Sequence, residues 1–281
     1  MLLFIEVLAL KSIVFAAALF TCPVWASCIE FNTSPQQGGF VWGKVSAGSV
    51  VMADGVALDV LDDGMTFWGF GRDAVGPREI VVTQGDSHCR QSVDIVPREY
   101  RVQRVEGVPA KTVNPPTEQL ARIRREGALV KAARADHRMR SELMRAVFAG
   151  FAWPLEGPIS GVYGSRRYYN GEPGRPHYGI DVAAATGTLV RAPAVAVVTL
   201  AEPDLFYSGG TIVLDHGYSL SSSFLHLSKV RVSVGDELQA GDVIGEVGAT
   251  GRATGPHLDW RMNWRDQRID PELLAPPMPM P

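Results

Sequence analysis

The sequence predicts a mainly β protein: an N-terminal immunoglobulin-like β-sandwich, a helical connector and a C-terminal antiparallel β domain. Three observations predict it. Apolar and polar residues alternate between turn signals from Gly39 to about Val96, a helical spacing takes over from Thr117 to Gly150, and glycine-punctuated β-branched runs fill the chain from Phe151 to about Ala275.

The first 26 residues read as an export signal. Lys11 precedes the apolar run SIVFAAALFTCPVWA, which ends in small residues suited to cleavage after Ala26 and is short for a membrane span. Trp25 stands where lipidation at Cys28 would want a small aliphatic residue. Cleavage removes Cys22 and leaves Cys28 and Cys89, which in an exported chain read as one disulfide. With no further thiol, cysteine nucleophiles and cysteine-ligated zinc are excluded.

Residues 27–98 form the sandwich. Asp54-Gly55, Asp63-Gly64 and Gly85-Asp86 mark hairpins between strands of about five to eight residues. His88 reads as a surface residue. Residues 99–150 follow as a proline-bearing linker, containing VPAKTVNPP, and a basic helix that Thr117 can cap. That helix is either continuous or broken near Gly127. It places Leu120, Ile123, Gly127 and Val130 on one stripe, which Met144, Val147 and Phe148 resume, and it leaves His137 on the solvated face. Its eight Lys and Arg against four Asp and Glu suit packing on a neighbour, with contact to anionic wall polymer or a membrane surface as the alternative. Residues 151–275 form the last domain, and the proline-rich tail 276–281 should lack regular structure. A net charge of -3 and the absence of aromatic-basic interleaving exclude nucleic acid as the main partner.

The chemistry concentrates in the last domain. GRPHYGID carries His177 and Asp181, SFLHLS carries His226, and TGPHLDW carries His257 and Asp259. On an extended strand His257 and Asp259 share one face while Leu258 and Trp260 take the other. Imidazole and carboxylate groups gathered this way suit a divalent metal, whose catalytic form needs three ligands and an open position.

HxGxD, then HLS, then TGPHL, in that order, resembles the lysostaphin-like (LytM-type) zinc metallopeptidases, the peptidoglycan endopeptidase family. The likeness spans about residues 155 to 275, including PLEGPISGVYGSR and VGDELQAGDVIGEVGATGRATGPHL. It implies a lysostaphin-like antiparallel β domain with a narrow groove, a metal held by His177, Asp181 and Asp259, and His226 and His257 as catalytic groups outside the metal set. Tyr163, Arg166 and Tyr178 would line the groove, and His216 would be structural. The departure is Asp259, where the family has a second histidine in HxH. One His with two Asp is a harder, more negative set, so it should hold Zn2+ less selectively and admit Mn2+ or another divalent ion. The resemblance therefore implies metal-dependent hydrolysis of peptide cross-links between peptidoglycan stem peptides in a Gram-negative periplasm. The alternative is an inactive regulator that binds wall peptide or a partner amidase.

Overall fold

Strands form where the alternation of apolar residues lets one face be buried, and the computed structural model, which describes residues 27–135 and 138–279, is mainly β. The expected signal peptide and His137 lie outside the described residues. In the N-terminal region β1 (Phe40–Lys44), β2 (Val50–Ala53), β3 (Val56–Leu58), β4 (Met65–Gly69), β5 (Arg78–Gln84) and β6 (Ser87–Val93) make two small antiparallel sheets, β1-β4 and β3-β2-β5-β6. Asp54-Gly55 and Gly85-Asp86 turn hairpins as expected, with Ala53 opposite Val56 and Gln84 opposite Ser87. Asp63-Gly64 instead closes a tight turn, because β4 pairs with β1 across the region and not with β3. Six strands in this pairing do not reproduce the seven of an immunoglobulin constant domain. Cys28 and Cys89 are joined, tying the start of the described chain to β6.

The stretch read as a linker is partly a strand. β7 (Val102–Val105) is followed by α1 (Ala110–Val113), α2 (Leu120–Arg134) and α3 (Ser141–Phe148). A short 3-10 turn at Thr117–Gln119 leads into α2, and Pro116 precedes it without a side-chain cap, so Thr117 does not cap the helix. Gly127 sits inside α2, and the break falls between Arg134 and Ser141. α3 is strongly amphipathic and buries Leu143, Met144 and Val147, whereas α2 buries no residue fully.

The remaining chain supplies β8 (Ile159–Gly161), β9 (Arg166–Tyr169), β10 (Glu172–Pro173), β11 (Ile180–Ala183), β12 (Leu189–Arg191), β13 (Ala196–Leu205), β14 (Gly209–Asp215), β15 (Leu220–Leu227), β16 (Lys229–Val230), β17 (Glu237–Leu238), β18 (Val243–Glu246), β19 (His257–Trp264) and β20 (Gln267–Ile269). The main sheet has the order β17-β13-β14-β15-β19-β11-β8, with β20 on β19. Two three-stranded sheets flank it, β12-β18-β16 and β10-β9-β7, the second recruiting the connector strand in parallel with β9.

One continuous apolar core runs from the N-terminal sheets into the main sheet. Phe67 meets Trp264 edge-on at 6.4 Å and Tyr218 at 5.5 Å, Phe40 meets Trp264 at 6.2 Å, and Phe148 of α3 lies 6.1 Å from Phe67. Polar contacts cross the same boundary: Arg98 pairs with Asp270 at 2.8 Å, and Arg72 Nε donates to the Gly164 carbonyl at 2.7 Å. The tail is docked as far as it is described, since the Trp153 indole donates to the Pro276 carbonyl at 2.7 Å and Met278 packs on the core.

Candidate metal centre and flanking cavities

Antiparallel pairing of β11 with β19 sets Asp181 directly opposite Asp259, and Ala183 opposite His257. His177 lies four residues before Asp181. His226 comes from the end of β15, where the pairing with β14 shifts register and His226 takes a left-handed backbone (φ 66°). Bulges and positive φ at a non-glycine residue re-aim a side chain at some conformational cost, and here the imidazole points into the cleft.

The three histidines are oriented alike. Nδ1 of His177 contacts the Val162 carbonyl at 3.3 Å, Nδ1 of His226 the Thr250 carbonyl at 2.8 Å, and Nδ1 of His257 the Gly255 carbonyl at 2.8 Å. A carbonyl only accepts, so each Nδ1 donates, and in the neutral ring Nε2 is left with its lone pair. All three Nε2 atoms face the carboxylates: His177 to Asp181 Oδ1 at 3.0 Å and to Asp259 Oδ2 at 3.5 Å, His226 to Asp259 Oδ2 at 3.9 Å, and His257 to Asp181 Oδ1 at 3.9 Å. The rings of His226 and His257 lie 4.9 Å apart. Thus the structure brings all five chemistry-bearing residues of the three motifs to one point.

His177 Nε2 and Asp181 Oδ1 are buried, close, and without a well-formed hydrogen bond. Together with an Asp259 oxygen, their ligand atoms all lie within 4.8 Å of one another. Two orphaned ligand-type atoms facing each other in a buried site fit a divalent cation.

The charges around them are unusual. Asp181 pairs with Arg167 of β9, and Asp259 is bound by Arg261 of its own strand, whose Nε lies 2.9 Å and 3.1 Å from its two oxygens. Against the upward push of burial, His177 and Arg167 hold Asp181 down at about 2, and Arg261 and His177 hold Asp259 well below the carboxylate range. Burial would lower His177, but the two carboxylates outweigh it and raise it above its ordinary value. His226 is pushed down to about 4 by burial, which the Asp259 carboxylate only partly offsets, and so it is neutral near pH 7.

Two glycines make room for these pairs. A Cβ on Gly161 would fall 2.2 Å from Asp181 Oδ2 and 2.6 Å from Arg167 Nη2, and one on Gly179 would fall 2.6 Å from Asp259 Oδ1.

The weaker groove expectations fare differently. Tyr178 does line a cavity beside the centre. Tyr163 is instead buried, its hydroxyl donating to the Arg268 carbonyl at 2.7 Å, and it is a packing residue between Tyr100 and Tyr178. Arg166 is exposed, and strand parity gives the inward place to Arg167. His216 is structural as read: fully buried, with Nε2 2.7 Å from Ser222 Oγ and Nδ1 3.2 Å from the Val195 carbonyl. Sequence reasoning missed Arg167 and Arg261. The second was legible, because Arg261 stands two residues beyond Asp259 and therefore on the same strand face.

Two cavities open on this centre. One of about 240 Å3 is walled by Asp181, His226, His257 and Asp259 on one side and by Gln103, Val105 and Val108 of the connector on the other. A second, of about 540 Å3, lies between α2 and the sheet and includes His177, Tyr178 and Arg261 in its wall. α2 is held there by Arg122, 3.1 Å from Asp204, and by Glu126, which accepts from the Phe206 amide at 2.8 Å.

Comparison with known proteins follows the same residues. A model of Peptidase family M23 matches residues 175–271. The crystal structure of a "putative peptidase M23" from Pseudomonas aeruginosa is 30% identical with a TM-score of 0.64, covering 86% of this chain and 95% of that one. The DD-carboxypeptidase/endopeptidase Mpg of Neisseria meningitidis serogroup B is 37% identical over 121 residues, 43% of this chain and 28% of that protein. The peptidoglycan DD-endopeptidase ShyA of Vibrio cholerae serotype O1 is 37% identical over 105 residues, 37% of this chain and 24% of that protein. The chain thus spans about a quarter of the length of these curated relatives. With its near-complete overlap of the Pseudomonas structure and with HxGxD, HLS and TGPHL converging on one centre, the chain belongs to peptidase family M23.

Proposed function

We propose that the protein is a metal-dependent endopeptidase that hydrolyses peptide cross-links of peptidoglycan, working in the periplasm. The observation that carries this reading is the convergence of three imidazole Nε2 atoms and two carboxylates, with the Nδ1 of each ring fixed by a backbone carbonyl. The names of the curated relatives support the substrate class. No helix among the described residues is long and apolar enough to cross a membrane.

His177, Asp181 and Asp259 would hold a divalent metal, zinc or a harder ion such as manganese, which supplies polarisation of the scissile carbonyl and acidification of water. His226 and His257 do the proton work. Each presents a lone pair on Nε2, one taking the proton of the attacking water and returning it to the departing amine. His226, held neutral by burial, is ready to accept at neutral pH.

A second reading, binding without hydrolysis, is favoured by one observation. Arg167 and Arg261 already balance Asp181 and Asp259, so the buried charges of the four side chains sum to zero before any cation enters. Elemental analysis of the purified protein, with digestion of cross-linked muropeptides by the same sample, separates the two. One divalent ion per chain with cleavage is the expected result, and His257→Ala should keep the ion and lose cleavage. Neither ion nor cleavage after adding zinc or manganese overturns the peptidase reading in favour of the binding one.

A further inference from the structure

The cavity under α2 is lined by five arginines, Arg134, Arg175, Arg252, Arg261 and Arg268, and by a single acid, Glu126. Glu126 is already engaged by Arg122 and the Phe206 amide, and Arg261 by Asp259. Arg175 is exposed; the half-buried Arg134, Arg252 and Arg268 have no acidic partner among the described residues. Arg134 and Arg268 donate to the same neutral acceptor, Asn263 Oδ1, at 3.3 Å and 3.1 Å, which leaves two guanidinium groups sharing one amide oxygen. Arg252 is stacked on Tyr169 and Tyr207, its guanidinium carbon 4.6 Å and 4.9 Å from the two ring centres. Withdrawn charges are ordinarily paired, and a surplus of one sign in a recess is a site that lacks its counter-charge. Burial, with Arg134 and Arg261 alongside, pushes Arg268 down to about 9, and burial next to Arg261 pushes Arg134 down to about 10, as expected of guanidinium groups crowded together without a counter-charge.

We propose that this cavity receives an acidic peptide, its free carboxylates held by Arg134, Arg252 and Arg268. Guanidinium forks match carboxylates in geometry. The apolar wall of Ile123, Val130, Leu205 and Leu225 suits the aliphatic parts of a peptide better than an inorganic anion. About 540 Å3 lies within the span of ligand pockets, roughly 300–1,000 Å3. The cavity shares Tyr169, Tyr207, Ser208, Leu225, Arg252 and Arg261 with the smaller one beside His226 and His257, so a chain anchored by its carboxylates under α2 extends into the reacting centre. The physiological identity of that peptide as a wall stem rests on the peptidase reading; the carboxylate recognition does not.

Titration calorimetry on the full protein, with EDTA present so that no peptide is cut, tests this. The probes are the stem tetrapeptide L-alanyl-γ-D-glutamyl-diaminopimelyl-D-alanine, the same peptide with its carboxyls amidated, and inorganic phosphate. The acid peptide should bind at least tenfold more tightly than the amidated one and than phosphate. Arg134→Gln with Arg268→Gln should erase that difference, while Arg125→Gln on the exposed face of α2 keeps it. Equal affinity for acid and amidated peptide on the unaltered protein overturns the proposal, as does phosphate binding as tightly as the peptide. Cleavage of cross-linked muropeptides without carboxylate-dependent binding removes this proposal and leaves the peptidase reading. Carboxylate-dependent binding without cleavage does the reverse.

Discussion

Asp181 and Asp259 stand directly opposite one another on neighbouring antiparallel strands, and each carries its own arginine. Like charges in such cross-strand places are destabilising unless a cation is shared or supplied. This chain supplies two, so its centre is balanced internally and any metal has to compete with guanidinium groups for the same oxygens.

Removing one competitor should show this. Arg261→Ala leaves the buried Asp259 carboxylate with only His177 as a counter-charge, at a cost of up to about 3–5 kcal/mol in metal-free protein. A unit charge a few Å away contributes on the order of 3 kcal/mol at an effective dielectric near 20. The variant should therefore melt lower in EDTA, recover with zinc, and bind zinc roughly tenfold or more tightly. Unchanged zinc affinity would take Asp259 out of the metal set.

Asp259→His should behave differently alone and in combination. Alone it removes the carboxylate that pairs with Arg261 and adds a fourth imidazole to the centre, so thermal stability should fall. Combined with Arg261→Ala it should restore stability and tighten zinc beyond the unaltered protein. A coupling below about 0.5 kcal/mol in the double-mutant cycle would mean that the two residues act independently.

Gly161→Ala drives a methyl into Asp181 Oδ2 and Arg167 Nη2. Overpacking of this kind costs roughly 1–3 kcal/mol. Urea unfolding should record that loss and a zinc titration should record weaker binding. Normal affinity would show that the Asp181–Arg167 arrangement is free to shift.

Stability should climb with pH between about 4 and 6.5. His216 and His226 are both pushed by burial to about 4, below the unfolded value of about 6.5, so the unfolded chain binds more protons across that window and folding is favoured as pH rises. Asp270, raised by burial to about 6, works against this between about 3.8 and 6. Two groups outweigh one, so the net slope is positive, and Asp270→Asn should steepen it. His177, raised above its ordinary value, loses its share only above about 6.5. Urea midpoints at pH 4.5, 5.5 and 6.5 measure the slope, and a flat or falling trend contradicts it.

Much of the centre could be read from the chain because its motifs are local. HxGxD, the H-x-D strand face and the lone cysteine pair each depend on spacing within a few residues or on counting. What escaped depends on partners far away. Residues 102–105 look like linker because nothing nearby announces β9 as their parallel partner, and Arg167 reaches Asp181 only through that placement. Gly127 suggested a helix break, yet one glycine costs only about 1 kcal/mol, which the contacts of α2 with the sheet outweigh. Arg166 differs from expectation by one step of strand parity, and Tyr163 because the turn between β8 and β9 buries its ring between Tyr100 and Tyr178.

The aromatic seam of Phe40, Phe67, Phe148 and Trp264 has a practical bearing. The boundary usually drawn around a catalytic module would cut through it, leaving Trp264 and Tyr218 bare to water on a truncated fragment. The N-terminal strands are therefore part of the site's scaffold in the way a keystone is part of an arch, and a shortened version made for assay should be expected to precipitate before it can be judged inactive.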